Sequence, residues 1–318
     1  PKRSHPLGLV ACRTISAPSP ISAPLARCWP TVSLPPPLPT PLDPSAPSTA
    51  AHSVAPHAVS RLRSQRLARS TRPFLARGGP KGERCDGCRL LPSHCLCALR
   101  PNLPTHAGMC VLMHDAEPLK PSNTGWLIAD VVAQTWAFGW SRVEVDPGLA
   151  ALLADPQWQP YVVFPGEFVQ PPERVVHDIA PTCKANNAIN SGVNNETEKA
   201  EKNKKPLFIL LDATWNEARK MFRKSPHLDG YPVLSLHPEQ MSRYRLRRSN
   251  RSDHFCTAEV AALCLELAGD TRAAQALEAY LDVFTHHYLQ AKNQLPPDVN
   301  SAAHLALQAL VPPGTPSA

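Results

Sequence analysis

The feature that most constrains the fold is a stretch in which a buried strand passes directly into a helix. Residues 207–211 form a continuous apolar run of strand length, which is typical of a strand buried on both faces of a parallel sheet. A helical pattern begins after Asp212, where Thr214 and Glu217 have the spacing of a capping box, and Pro226 ends it. Asp212 therefore follows a central strand, at the sheet edge where open α/β folds bind ligands. This carboxylate is either a chemical group or a charge that complements the helix dipole.

Three further segments have the length and apolar character of strands, and each runs into a polar turn. Residues 109–113 and 231–236 precede polar or basic segments, and residues 161–164 precede Pro165-Gly166. Because the carboxyl ends of parallel strands lie along one edge of a sheet, we expect these turns to form one crevice. The sequence therefore predicts an α/β fold, with a mostly parallel sheet and helices on both faces.

Apolar spacing predicts three further helices. The first starts near Gly125 and extends through Trp136, the second covers residues 256–266, and the third covers about 271–291. Residues 142–145 form a weaker strand candidate.

The N-terminal part of the chain differs in composition from the rest. Residues 1–82 contain eleven of the 33 basic residues and one of the 26 acidic residues. The segment is rich in Pro, Ala, Ser and Arg and has no helical or strand periodicity, so we predict a disordered tail. Its composition is similar to that of an organellar transit peptide, although prolines interrupt every amphipathic helix. A gene fragment or an over-extended start explains the tail as well as targeting does, and a cytoplasmic protein is expected.

Outside this tail the charge balance is mildly acidic, with 22 basic and 25 acidic residues. A site for a polyanion therefore has to be a local patch. Between Arg219 and Arg251 there are nine basic and two acidic residues. A charge run is often only a solvated surface, but beside a strand-end carboxylate this one favours contact with RNA phosphates. The arginines predicted to contact RNA are Arg219, Arg223, Arg243, Arg245 and Arg247.

Two other partner classes are not indicated by the sequence. No apolar run approaches the roughly 18 residues of a membrane span, so no membrane contact is expected. Nothing in the chain indicates an obligate protein partner.

Four of the ten cysteines lie within thirteen residues, as a C-x2-C pair (Cys85 and Cys88) and a C-x-C pair (Cys95 and Cys97). Two short chelating pairs on tight turns can bring four thiolates to the corners of a tetrahedron, which is the geometry of structural zinc. His94 is a weaker alternative ligand. Because four thiolates leave no open coordination position, the predicted Zn²⁺ is structural and not catalytic.

Several common catalytic motifs are absent. The chain has neither G-x-G-x-x-G nor G-x-x-x-x-G-K-[ST], so neither a Rossmann dinucleotide site nor a P-loop is supported. It also lacks the spacing of a Ser-His-Asp triad or of a metal hydrolase.

Seven short motifs together carry more information than any one of them. They are the four-cysteine pattern, His114-x2-Glu117, Ser122-Asn123-Thr124-Gly125, Phe164-Pro165-Gly166, Asp212-Ala213-Thr214-Trp215, Ser242-Arg243-Tyr244 and Thr257-Ala258-Glu259. This combination closely resembles the DTW-domain family, whose members are tRNA-uridine aminocarboxypropyltransferases. The resemblance covers about residues 84–292.

Composition and the resemblance together predict a division of the chain into segments, with the insertion as a departure from the family. A tail over residues 1–82 precedes a zinc module over residues 83–106 and a catalytic domain over residues 107–300. A polar insertion interrupts the domain at about residues 183–205, and residues 301–318 form a second tail.

The resemblance also implies a reaction, in which the 3-amino-3-carboxypropyl group of S-adenosylmethionine is transferred to N3 of a tRNA uridine. The fold would be related to that of SPOUT methyltransferases, which can contain a knotted C-terminal segment. Asp212 is the expected base for the uridine imide proton, and binding of the amino group of S-adenosylmethionine is the alternative role. Thr214 and Trp215 complete the catalytic motif, and Trp215 either stacks on a base or packs in the core. The residues expected to bind S-adenosylmethionine are Asn123, Thr124, Gly125, Pro165, Gly166, Asp212, Thr257 and Glu259.

Two other classes of function fit the same residues. A SPOUT-like RNA methyltransferase would use the same co-substrate and the same crevice. A non-catalytic, zinc-containing RNA-binding protein would need only the cysteines and the basic patch.

Overall fold

The fold is an α/β domain built on a single parallel sheet. A computed structural model describes residues 56–72, 74, 82–179, 204–236 and 255–311. Its helices and strands, in chain order, are α1 (Ala58–Ala68), β1 (Gly108–Met113), α2 (Gly125–Val131), β2 (Thr135–Gly139), α3 (Pro147–Ala154), β3 (Trp158–Val163), β4 (Val175–Val176), β5 (Lys205–Asp212), α4 (Trp215–Arg223), β6 (Val233–Leu234), α5 (Thr257–Leu267), α6 (Thr271–Lys292) and α7 (Ala302–Leu310).

The sheet has six strands in the order β2-β1-β5-β3-β6-β4, and every neighbouring pair is parallel. The predicted central strand β5 lies between β1 and β3. Its register pairs Asp212 with Met113 of β1, and it pairs Leu210 with Val163 of β3. Consequently the carboxyl ends of these three strands lie at one edge, as the sequence predicts.

Alternate residues of β5 enter two separate cores, which is why its sequence is apolar without interruption. Phe208 and Leu210 face the core covered by α1, α2, α5, α6 and α7. Leu207 and Ile209 face the opposite core, which α3 and α4 cover. The predicted sheet with helices on both faces is therefore confirmed. In the described part of the chain, no helix is long and apolar enough to cross a membrane.

The predicted helix from Gly125 through Trp136 is wrong in its second half. Helix α2 ends at Val131, and Thr135–Gly139 forms edge strand β2 instead. The backbone of β2 pairs with β1, from Thr135 opposite Met109 onward, so a tertiary contact overrides the local helical pattern. The strand candidate at residues 142–145 is also wrong, since these residues form no strand and Val143 is 95% exposed.

Both predicted tails contain a helix. Helix α1 lies inside the segment 1–82 that was predicted to be disordered, and it docks on the domain through Val59 and Leu62. Helix α7 lies inside the predicted tail 301–318 and buries Leu307 against α6. Each helix is stabilised by tertiary docking, which the composition of a short segment does not report. Residues 1–55 and most of the predicted insertion 183–205 lie outside the described residues.

Candidate active site and metal centre

Asp212 is the last residue of β5, and its carboxylate is 1% exposed. Its Oδ2 accepts a hydrogen bond from Nδ2 of Asn123 at 2.5 Å, and its Oδ1 accepts one from Oγ1 of Thr257 at 2.6 Å. These two partners lie at the starts of α2 and α5. Asp212 therefore joins three elements at the sheet edge, and we call Asp212, Asn123 and Thr257 the Asp212 clamp.

Both polar atoms of the Asn123 side chain, Oδ1 and Nδ2, make hydrogen bonds. Its Oδ1 accepts from the backbone N–H of Trp126 at 3.0 Å, which satisfies an N–H group in the first turn of α2. Its Nδ2 also lies 3.3 Å from Oε2 of Glu117, a fully buried carboxylate that forms an ion pair with Lys120. The loop after β1 thus presents the Asn123 amide to Asp212 in a fixed orientation.

A glycine is needed beside the Asp212 clamp. A Cβ added to Gly125 would lie 2.7 Å from Oδ2 of Asp212 and 3.2 Å from Cγ1 of Val111. Both distances are too short for ordinary van der Waals contact. Gly125, predicted to bind the co-substrate, therefore has an observed role in allowing α2 to approach Asp212 closely.

A capping box between Cys256 and Glu259 stabilises the start of α5. The backbone N–H of Cys256 donates to Oε2 of Glu259 at 2.8 Å, and the Cys256 side chain accepts from the backbone of Glu259. Thr124 is buried near this helix start. Burial raises the pKa of the Cys256 thiol, so the thiol is protonated at neutral pH. Glu259, predicted to bind the co-substrate, has the observed role of a helix cap.

Thr214 and Glu217 form the predicted capping box at the start of α4. The Thr214 hydroxyl donates to Oε2 of Glu217 at 2.6 Å, and the Thr214 backbone N–H donates to the same oxygen at 3.0 Å. Desolvation tends to raise the pKa of Glu217, but the hydrogen bonds from Thr214 outweigh it and the pKa lies below its ordinary value. Oε1 of Glu217 lies 3.4 Å from Nδ1 of His114, which follows β1.

Trp215 belongs to an aromatic cluster on the α4 side of the sheet. Its ring stacks on Phe164 with centroids 5.6 Å apart, and Phe168 contacts it edge-on at 5.4 Å. Phe222 also stacks on Phe164, with the two ring centroids 4.3 Å apart. These contacts favour the packing role of Trp215 over the base-stacking role.

Pro165 and Gly166 follow β3, and the register of β3 with β5 sets Pro165 level with Asp212. The Gly166 backbone N–H donates to Oγ of Ser235 at 3.0 Å, beyond the end of β6. A Cβ at Gly166 would lie 3.0 Å from Cγ1 of Val175. The two residues therefore line the same edge as the Asp212 clamp, and Gly166 allows strand ends to approach.

The predicted RNA-contacting arginines fall into two groups. Arg223 is exposed on α4 beside the exposed Lys220 and Lys224, whereas the Arg219 guanidinium lies 4.8 Å from the Phe168 ring centroid. Arg219 is thus partly engaged in packing. The three remaining positions, Arg243, Arg245 and Arg247, lie outside the described residues.

The four cysteines of the predicted metal site converge. Their Sγ atoms all lie within 4.8 Å of one another, with separations of 3.6 Å for Cys85–Cys97, 3.7 Å for Cys88–Cys95 and 3.6 Å for Cys85–Cys95. A tetrahedron with Zn–S bonds of about 2.3 Å has edges of about 3.8 Å, so the group can hold a zinc ion. A Cβ at Gly87 would lie 2.5 Å from Sγ of Cys97, which explains the glycine in this turn.

Arg89 connects the metal centre to the Asp212 clamp. It follows Cys88 and is 1% exposed, and its Nη1 donates to the carbonyl oxygens of Lys120 and Asn123, each at 3.0 Å. The guanidinium stacks over Trp126, with its Cζ 4.3 Å from the ring centroid. Burial lowers the pKa of Arg89 to about 10, so it stays charged at neutral pH. The turn that carries Cys88 and Arg89 therefore holds the segment that contains Asn123.

Three residues of this arrangement were not among the predicted site residues. Arg89 and Lys120 lie in segments that carry site motifs, but a single sequence does not show where a long side chain reaches. Glu117 belongs to the His114-x2-Glu117 motif but is not a predicted site residue. Its spacing of three residues from Lys120, directly after a strand, is the signal that indicates an ion pair.

The fold and the site define a class of protein: a parallel α/β domain with a polar cluster at its strand ends and a cluster of four cysteines that could hold a metal. Within that class the chain belongs to the DTW-domain family, since the model of the DTW domain matches residues 82–289. Membership of this family is consistent with a role in tRNA modification. No solved structure matches the chain.

Proposed function

We propose that this protein transfers the 3-amino-3-carboxypropyl group of S-adenosylmethionine to N3 of a tRNA uridine. The observation that carries the proposal is the Asp212 clamp. It joins three of the family's motifs, those that contain Asn123, Asp212 and Thr257, at one edge of the sheet. The basic helix α4 leaves from the same edge, where a tRNA backbone has to lie if its uridine is to reach the clamp.

The donor groups at this edge suit the proposed co-substrate. A carboxylate, a carboxamide and threonine hydroxyls can bind the ammonium, carboxylate and ribose hydroxyl groups of S-adenosylmethionine. Asn123, Thr124, Asp212 and Thr257 would hold those groups, and the turn at Pro165 and Gly166 would border them. When bound, S-adenosylmethionine supplies a carbon activated by its sulfonium.

In the proposed reaction uridine N3 gives its proton to Asp212, or to water if Asp212 only positions its neighbours, and forms a bond to the γ carbon of the aminocarboxypropyl group. The bond from that carbon to sulfur breaks, and its electron pair remains on sulfur in methylthioadenosine. The protein has to aim N3 at this carbon and away from the methyl carbon, which is a matter of orientation. A rigid clamp of buried hydrogen bonds is suited to that task.

The contacts of Asp212 bear on its role. With both carboxylate oxygens accepting hydrogen bonds from protein groups, Asp212 is arranged to hold Asn123 and Thr257 in place. Each oxygen keeps a second lone pair, so the predicted role as the base for the imide proton requires the uridine to reach a residue that is 1% exposed. We therefore propose positioning as the first role of Asp212, and the proton-accepting role remains a prediction.

Asp212→Ala and Asp212→Asn separate these roles. Asp212→Ala removes both hydrogen bonds, and we expect at least a hundred-fold loss of activity on tRNA with S-adenosylmethionine. Asp212→Asn keeps the shape but cannot accept a proton at neutral pH. If Asp212 only positions its neighbours, Asp212→Asn retains part of the activity with an unchanged pH profile.

The readout is mass spectrometry of the nucleosides of the modified tRNA. A uridine that gains the aminocarboxypropyl mass supports the proposal, whereas a gain of one methyl group identifies a methyltransferase. Full activity of Asp212→Ala contradicts both roles of Asp212. Glu173→Gln, at an exposed carboxylate in the turn before β4, provides the control for general effects of losing a carboxylate.

A further inference from the structure

Helix α1 lies outside the residues that the family model matches, yet it packs at the edge that carries the candidate active site. The match begins at residue 82, and α1 covers Ala58–Ala68. Val59 and Leu62 of α1 enter the core, and the helix packs against β2 and the turn Glu117–Leu119. Glu117 of this turn contacts Asn123 of the Asp212 clamp.

The docking of α1 is specific at both of its ends. At its start, His57 caps the helix by accepting from the Ser60 backbone N–H at 3.1 Å, and its ring packs edge-on against Trp126. Toward its end, Arg66 forms two hydrogen bonds with Asp115, at 2.7 and 2.8 Å. The helix therefore has a defined position.

Two consecutive residues place α1 next to the basic helix α4. His114 and Asp115 directly follow β1. His114 contacts Glu217 of α4, and Asp115 pairs with Arg66 of α1. The two helices thus flank the same strand end, on opposite faces of the sheet.

The charge of this segment is entirely positive. Residues 56–72 contain five arginines and no aspartate or glutamate. Arg69 and Arg72 are exposed and follow Arg66 at intervals of three residues. We call Arg66, Arg69 and Arg72 the α1 arginine surface.

We infer that the α1 arginine surface binds phosphates of the tRNA substrate and, together with α4, holds the RNA backbone across the candidate active site. The inference rests on the proposed function. Its basis is that two acid-poor helices flank one strand end in a domain that is otherwise mildly acidic. Phosphates are the repeating negative charges that such a pair of surfaces complements.

The test is binding of full-length protein to tRNA over a series of salt concentrations. We expect Arg69→Gln/Arg72→Gln to weaken binding about ten-fold at about 0.1 M salt, and to flatten the slope of log K against log salt by about 1.5. Neither side chain enters the core, so the thermal midpoint stays at the wild-type value. The matched control is Arg272→Gln, an exposed arginine at the start of α6, near the opposite edge of the sheet. Its guanidinium donates to the carbonyl oxygen of Leu310 on α7, so its thermal midpoint is measured beside its tRNA binding.

The Asp115→Asn variant should bind tRNA more tightly, whereas Arg69→Gln/Arg72→Gln should bind it more weakly. The substitution releases Arg66 from its ion pair, so we expect tRNA binding to become about two-fold tighter. If Asp115 and Arg66 serve only to dock α1, the same substitution leaves binding unchanged or weakens it.

The outcomes separate this inference from the proposed function. Unchanged tRNA binding by Arg69→Gln/Arg72→Gln overturns the inference, while an adduct formed by the wild type leaves the function intact. Weaker binding by that variant together with no adduct from the wild type supports the surface and contradicts the reaction. Loss of binding to anionic phospholipid vesicles, with tRNA binding retained, would assign the surface to a membrane and overturn the inference.

Discussion

At the scale of single residues, the candidate site depends on how closely a few side chains approach each other. The Asp212 clamp brings a carboxylate, an amide and a hydroxyl together within about one hydrogen-bond length, in a place that water reaches little. Buried polar groups of this kind stabilise one arrangement only when each has its partners. Small changes of volume next to the clamp should therefore have large effects.

Gly125→Ala tests this close approach. Its added Cβ would lie 2.7 Å from Oδ2 of Asp212, so we expect it to push the carboxylate away from Asn123. Overpacking of this kind costs about 1–3 kcal/mol of unfolding free energy, and activity should fall together with stability. Denaturant unfolding and the tRNA assay measure the two effects.

The control is Gly230→Ala, because no atom lies within 4 Å of the corresponding added Cβ. We expect wild-type stability and activity from this variant. Equal behaviour of the two alanine variants would show that the approach at Gly125 is not tight.

At the scale of elements, the metal module and the sheet are joined through one side chain. Arg89 belongs to the turn that carries Cys88 and contacts the carbonyl oxygens of Lys120 and Asn123. We therefore expect a metal held by the four cysteines to act on the site through this arginine. Loss of the metal should loosen the loop after β1 as well as the module itself.

Cys97→Ser tests the module as a structural element. We expect bound zinc to fall from about one per chain to a small fraction, because a serine hydroxyl is a poor replacement for a thiolate. The thermal midpoint should fall by several degrees. Zinc content is measured by elemental analysis, and thermal unfolding by circular dichroism.

Cys264→Ala is the comparison for this experiment, since Cys264 is buried in α5 and is not one of the four clustered thiols. This variant should lose some stability but keep its zinc. A Cys97→Ser protein with full zinc content would contradict the four-thiolate site.

At the scale of the whole molecule, α6 and α7 close the core on the α1 side, and a pair of buried histidines joins them. Nε2 of His287 on α6 lies 2.8 Å from Nε2 of His304 on α7. Nδ1 of His287 donates to the carbonyl oxygen of His94 at 3.1 Å, which leaves its Nε2 to accept from His304. Ser301 in turn donates to Nδ1 of His304. This chain of hydrogen bonds needs the His287 ring to be neutral, because its Nε2 has to accept.

The histidine pair predicts a dependence of stability on pH. Burial lowers the pKa of His287 from 6.5 to about 4, and burial also lowers that of His304. Between pH 6.5 and about pH 4, the unfolded chain binds a proton at His287 that the folded chain does not bind. The free energy of unfolding therefore falls as the pH decreases through this range. For His287 the full effect is on the order of 3 kcal/mol.

Denaturant unfolding at pH 7.5 and pH 5 checks this expectation. His287→Gln removes the titrating group, so the difference in stability between the two pH values should shrink. The exposed His106→Gln should keep the wild-type difference. The same difference in all three proteins would contradict a role for the His287–His304 pair.

Much of the site was predictable because its signals are local. The apolar run of β5 indicated a strand buried on both faces, and the spacing of Thr214 and Glu217 indicated the capping box that follows it. The cysteine spacing likewise indicated a metal centre. In each case the pattern lies within a few residues, so neighbouring side chains and backbone groups specify it without distant contacts.

Other features required the assembled fold. Strand β2 forms only because β1 offers it a free edge. Helix α1 holds its place by docking on β2, α2 and the turn Glu117–Leu119, which lie about 50 to 80 positions further along the chain. The Asp212 clamp joins residues 45 and 89 positions apart. Thus the sequence by itself determined the central strand, the capping box, the cysteine motif and the edge at which the strands end. The tertiary structure decided which side chains touch there, because those contacts depend on the packing of segments that are far apart in the chain.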